Sequence, residues 1–203
     1  MKAFVGIDVA FAKGKPLPIC VCTWKRDRLI PFPIRGAVLP DAPRGSGNRG
    51  SIDLVVVTTF VDKVAEYLHA IEKHFDLEIQ RVAIDAPSAP RKEGIVRRVA
   101  EEALDCKRIS CFTTPSAAEF ATKRREVAKY LENGGAENRM PSANQLWMMV
   151  GFALFRRLER EWECLEVYPQ ATMKVLGAAS IHKSKREGVR QQLRAVAQYT
   201  GWP

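Results

Sequence analysis

The run Val82-Ala83-Ile84-Asp85-Ala86-Pro87 limits what this chain can fold into more than any other. A short apolar strand delivers one carboxylate at its carboxyl end. Pro87 then stops it, because proline has no N–H to give to a ladder. Phe4-Val5-Gly6-Ile7-Asp8-Val9-Ala10 follows the same plan near the amino terminus, and Cys164-Leu165-Glu166-Val167-Tyr168 repeats it before Pro169. An acid on a mostly apolar strand needs a reason, since an unpaired buried charge is costly. A cation shared by the three strand ends supplies one.

The segments between these strands read as an α/β chain. Lys2 to Ala10 has the near-continuous apolar run of a central strand. Pro16 to Trp24 follows, with Cys20 and Cys22 on one face by the period-2 rule. The polar turn Lys25 to Arg28 leads into Leu29 to Ile34, an edge strand because of Pro31 and Pro33. Gly36 to Ser51 reads as a long loop, and Ile52 to Val57 suits either a further strand or the real third strand.

Thr59 and Asp62 resemble a capping box for a helix whose Phe60, Val64, Leu68 and Ile71 share a face. That helix feeds Glu78 to Asp85, a crossover that implies parallel strands. Val96, Val99, Ala100 and Ala103 stripe a further helix, and Ile109 to Phe112 suits a short strand. Capping boxes at Ser116/Glu119, Ser142/Gln145 and Ser184/Glu187 open three more helices. The second of these is apolar around most of its circumference, so its methionines belong to the core. In the last, Val189, Leu193 and Val196 form the expected inward stripe.

Acids at the carboxyl ends of neighbouring parallel strands, roughly 5 Å apart by strand spacing, repel unless a cation lies between them. Mg²⁺ or Mn²⁺ suits hard oxygen ligands, and two such ions about 4 Å apart activate a water and stabilise the leaving oxygen of a phosphodiester. Against this, a single aspartate after a strand is more often a turn or cap residue than a ligand. The joint placement of Asp8, Asp85 and Glu166 is what lifts the metal reading.

At these residues the chain resembles the DUF429 family, a group usually described as predicted nucleases with a ribonuclease-H-like fold. The matching pieces are Gly6-Ile7-Asp8, Ile84-Asp85-Ala86-Pro87 and Glu166-Val167-Tyr168-Pro169, in the family's order. The resemblance implies a five-stranded mixed sheet flanked by helices, spanning residues 1–203 as one domain. It places Asp8 opposite Asp85, with Glu166 on the adjacent strand. Ser88-Ala89 departs from the Leu-Gly common in the family. Related nucleases also add an acid from a carboxyl-terminal helix, whereas the only acid after Glu166 here is Glu187, which has a capping position. The expectation is therefore a chain lacking that helix, or a member that has lost its second metal position.

The expected activity is divalent-metal-dependent hydrolysis of nucleic acid, with Asp8, Asp85 and Glu166 as ligands and catalytic groups. Net charge of +9 favours a polyanionic partner, and Lys123-Arg124-Arg125 is the expected phosphate grip, although a charge cluster on a helix is usually a solvated face. A catalytically silent module binding nucleic acid or protein is the second reading. ATP hydrolysis on the related actin-like core is a weaker one, since no glycine-rich second phosphate loop is present. Five cysteines without paired C-x-x-C spacing argue against a disulfide framework or zinc cluster. The three histidines lack metal-site spacing. Without a targeting signal or an apolar run of about 18 residues, a cytoplasmic location and no membrane are expected.

Overall fold

The computed structural model describes residues 1–34, 39–179, 181–182 and 184–200. Five strands form one mixed sheet: β1 (Lys2–Asp8), β2 (Ile19–Lys25), β3 (Arg28–Phe32), β4 (Glu78–Asp85) and β5 (Glu163–Glu166), in the order β3-β2-β1-β4-β5. β1 runs parallel to β4 and β4 to β5, while β2 and β3 run antiparallel to their neighbours. This α/β arrangement is consistent with a ribonuclease-H-like sheet, and β3 is the proline-bearing edge expected of it.

Alternation along the strands divides the sheet into two unlike faces. Val5, Ile7, Val82 and Ile84 point into the core and are at most 2% exposed. There they meet α2 (Leu54–Phe75) and α5 (Ala143–Leu158), which pack against each other over Phe60, Val64, Leu68, Leu154 and Phe155. The other face carries Gly6, Ala83, Cys20, Trp24 and Leu165, with the last three exposed.

The helices correct several expectations. Asp53, rather than Thr59, starts α2, its carboxylate accepting from the N–H groups of Val55 and Val56 at 2.9 and 3.2 Å. The Val-rich stretch after Ile52 is therefore helical: burial of Val57, Phe60 and Val61 on one face overrides β propensity. The loop expected from Gly36 to Ser51 falls partly outside the described residues, and its second half carries the short helix α1 (Gly47–Ser51). The helix α3 (Val99–Cys106) buries Glu101, while Val96 and Val99 are more than 80% exposed. Ile109 to Phe112 forms no strand.

The Ser116/Glu119 box does form and opens α4 (Ala117–Glu132). Ser142 precedes α5 in a left-handed conformation without a side-chain cap. After α6 (Pro169–Val175), α7 (Arg186–Tyr199) starts at Lys185 because the Ser184 hydroxyl is engaged with His182 Nδ1 at 2.7 Å. Val189 and Leu193 of its expected inward stripe are exposed instead. Among the described residues, no helix is long and apolar enough to cross a membrane.

Candidate active site

Parallel pairing of β1 and β4 ends with Asp8 in register with Asp85. Both carboxylates therefore leave the sheet on the same face, at the carboxyl ends of neighbouring strands. Asp8 is exposed and Asp85 half-buried. The Asp8 N–H donates to the Pro18 carbonyl at 3.1 Å, which fixes the end of β1 against the chain entering β2. Below the two acids, Gly6, Cys20, Ala83 and Pro169 line a cleft of about 340 Å³. Gly6 is needed there, since a Cβ at that position would lie 2.9 Å from the Cys20 sulfur. The Cys22 thiol, two residues along the same strand face, donates toward Cys20 and lowers its pKa.

Glu166 is placed differently. Its register partner is Ile84, not Asp85, so alternation turns its carboxylate to the core side of the sheet. There Arg98, at the start of α3, binds it through both guanidinium nitrogens, with Nη1 at 2.7 Å. The Ser88 N–H and hydroxyl donate to the same carboxylate at 3.0 and 3.1 Å. Burial alone would raise the Glu166 pKa, but the Arg98 and Ser88 bonds outweigh it and hold the carboxyl below its ordinary value. Arg98 is raised in turn, chiefly through its bond to Glu166. Ser88 thus has a defined role at the place where the sequence departs from the family pattern.

The three acids lie at the same end of the sheet but not in one arrangement: Asp8 and Asp85 line one cleft, Asp85 and Glu166 border a second cavity, and Glu166 is bound there by Arg98 and Ser88. Among the described residues, no cluster of three or more His, Cys, Asp or Glu side chains is arranged to hold a metal. A hard divalent ion still fits the Asp8/Asp85 pair, because Mg²⁺ commonly uses one or two carboxylates and completes its shell with water and phosphate. Among the described residues, the four or more protein ligands that two ions would need are not assembled there.

The basic cluster also divides. Lys123 reaches the Ser142 hydroxyl at 3.4 Å. Arg124 turns inward to donate to the Ile52 carbonyl at 3.1 Å, its Nε buried without a partner among the described residues. Arg125 stays on the surface. His69 pairs with Glu72 and Glu161 and stacks near Trp162, and His74 lies edge-on against Phe75.

Sequence reasoning did not find Arg98 or Ser88. The Arg97-Arg98 pair between a loop and a helix was a usable signal, but its target depends on which face Glu166 occupies. A family described as "Protein of unknown function (DUF429)" matches residues 6–202. No curated protein and no solved structure matches the chain.

Proposed function

The chain belongs to the DUF429 family, and from that premise we propose that it is a divalent-metal-dependent phosphodiester hydrolase acting on nucleic acid. The observation that carries this reading is the in-register pair Asp8 and Asp85 at the mouth of one cleft. Two carboxylates at the ends of adjacent parallel strands are hard oxygen donors of the kind a divalent ion takes. A bound Mg²⁺ or Mn²⁺ would supply charge for a phosphate oxygen and a more acidic water. Asp8 and Asp85 would hold that ion, Asp8 being the more exposed of the two. Glu166 acts through the loop, fixing Ser88 and Arg98 behind Asp85, rather than as a ligand. The net charge of +9 supports a polyanionic substrate.

The test is incubation of the protein with end-labelled single-stranded and duplex DNA and RNA in Mg²⁺ or Mn²⁺. The expected result is cleavage that chelation removes and that Asp8→Asn and Asp85→Asn abolish. The neutralisation of Glu166 by Arg98 favours a second reading, a silent module that binds nucleic acid or a protein on the same fold. Calorimetric titration with Mn²⁺ separates the two, since the silent module takes up no ion at Asp8 and Asp85.

A further inference from the structure

On the core side of the sheet end, a second cavity of about 80 Å³ opens between β4, α3, α5 and the segment before α4. Since one water needs about 10–15 Å³ of such space, this has room for on the order of six water-sized groups, the size of a single ring. It is far smaller than the roughly 300 Å³ or more of a site for a whole drug-sized ligand. Phe112, Trp147 and Tyr168 line it, together with the apolar side chains of Leu104 and Met148.

The cavity is preformed. The segment carrying Phe112 is fastened from three elements: the Tyr168 hydroxyl donates to the Ser110 carbonyl at 2.7 Å, Gln145 Nε2 to the Thr113 carbonyl at 3.2 Å, and the Thr114 N–H to the buried Glu101 at 2.9 Å. Trp147 is fixed by its own Nε1–H on the Asn144 carbonyl at 2.8 Å. These bonds engage the O–H and N–H donors of the Tyr168 and Trp147 rings, both of which line the cavity. Phe112, held by its neighbours in a fastened segment, remains 55% exposed at the rim. Arg98, Glu166 and Thr114 supply a polar edge with both donors and acceptors, and Asp85 borders this cavity as well as the carboxylate cleft.

We infer that this cavity receives one unpaired nucleobase of the substrate, stacked on Phe112, so that the enzyme acts on single-stranded nucleic acid. The inference rests on the nuclease reading and names its substrate class. A flat heteroaromatic ring matches the size, the aromatic walls and the mixed polar edge together. Its position next to Asp85 leaves the attached backbone beside the carboxylate pair. A base within a duplex is stacked and paired and cannot enter.

The test is equilibrium binding, by fluorescence anisotropy in EDTA, of three labelled probes of equal length: a thymidine oligonucleotide, the same backbone with abasic sites throughout, and a duplex. Base stacking predicts that the thymidine strand binds at least about tenfold more tightly than the abasic strand, and more tightly than the duplex. Phe112→Ala removes most of that advantage and Phe112→Trp keeps it. Equal affinity for the thymidine and abasic strands, tighter binding of the duplex, or a Phe112→Ala protein with its full preference overturns the inference. Because no metal is present, this outcome is independent of cleavage. Base-dependent binding without nuclease activity rejects the catalytic reading alone, and cleavage without base preference rejects the pocket alone.

Discussion

Glu166 pairs in register with Ile84 and so faces the opposite side of the sheet from Asp85, although both acids end adjacent parallel strands. One residue of offset turns the two carboxylates toward different faces at the same sheet end. It also explains Arg98: an acid turned toward the core side needs a cation, and the first residue before α3 provides one.

Removing that cation should be felt in stability. Arg98→Ala leaves Glu166 with Ser88 alone and is expected to cost about 1–3 kcal/mol, read from urea denaturation at neutral pH. The sign with pH follows from the lowered Glu166 pKa. The pairing adds stability above the unfolded carboxyl value, about 4.3, and loses it as pH falls through the lower folded value. In Arg98→Ala the acid-side loss of stability should therefore be shallower than in the parent protein. An identical acid limb in both would show that the pair contributes nothing.

Metal affinity should separate the three acids. Asp8→Asn and Asp85→Asn are each expected to weaken Mn²⁺ binding by at least about tenfold, as loss of a ligand costs no less than loss of its supporting shell. Glu166→Gln should change it far less. Calorimetry on the three variants decides the matter, and a Glu166→Gln effect as large as that of Asp85→Asn would place Glu166 among the ligands after all.

Much of the frame behind this site was legible in the sequence because it depends on local signals. β4 was bounded correctly at Glu78 and Asp85, since its apolar run and Pro87 leave little choice. The Ser116/Glu119 box marked the start of α4, where two orphan donors are satisfied within four residues. Nonlocal facts were hidden. Whether Val55 and Val56 extend as a strand or coil as a helix is decided by Asp53 and by what Val57 and Phe60 pack against. The face that Glu166 occupies depends on its register with β4, which no periodicity within β5 reveals. The solvent-facing Val96, Val99, Val189 and Leu193 show the same limit, because a stripe marks an amphipathic helix but not its neighbour.

The close approach of α5 to the active-site strand gives a packing prediction. Gly151 lies against Ala86, immediately after Asp85, and a Cβ there would sit 2.5 Å from that of Ala86. Gly151→Ala is expected to cost about 1–3 kcal/mol through overpacking. The displacement should also lower Mn²⁺ affinity, linking a core helix to the carboxylate pair. A variant with parental thermal stability and parental affinity would mean that α5 shifts freely.

The last prediction concerns three adjacent basic residues that do different work. Lys123, Arg124 and Arg125 were expected to act together on phosphate, but consecutive helical positions point about 100° apart, and of the three Arg125 is exposed while Lys123 and Arg124 are half-buried. Arg124 ties α4 to the Ile52 carbonyl at the end of α1. Arg124→Ala is therefore expected to lower the denaturation midpoint, with a loss of about 1–3 kcal/mol if its hydrogen bond is worth that of a charged donor. Arg125→Ala should leave stability unchanged. If Arg125 meets a phosphate, its removal should also reduce the slope of log affinity against log salt by about one, since one fewer counterion is released. The two readouts are independent, and each variant should move one of them alone. An Arg124→Ala protein of parental stability whose salt slope falls would restore the three residues to a common phosphate grip.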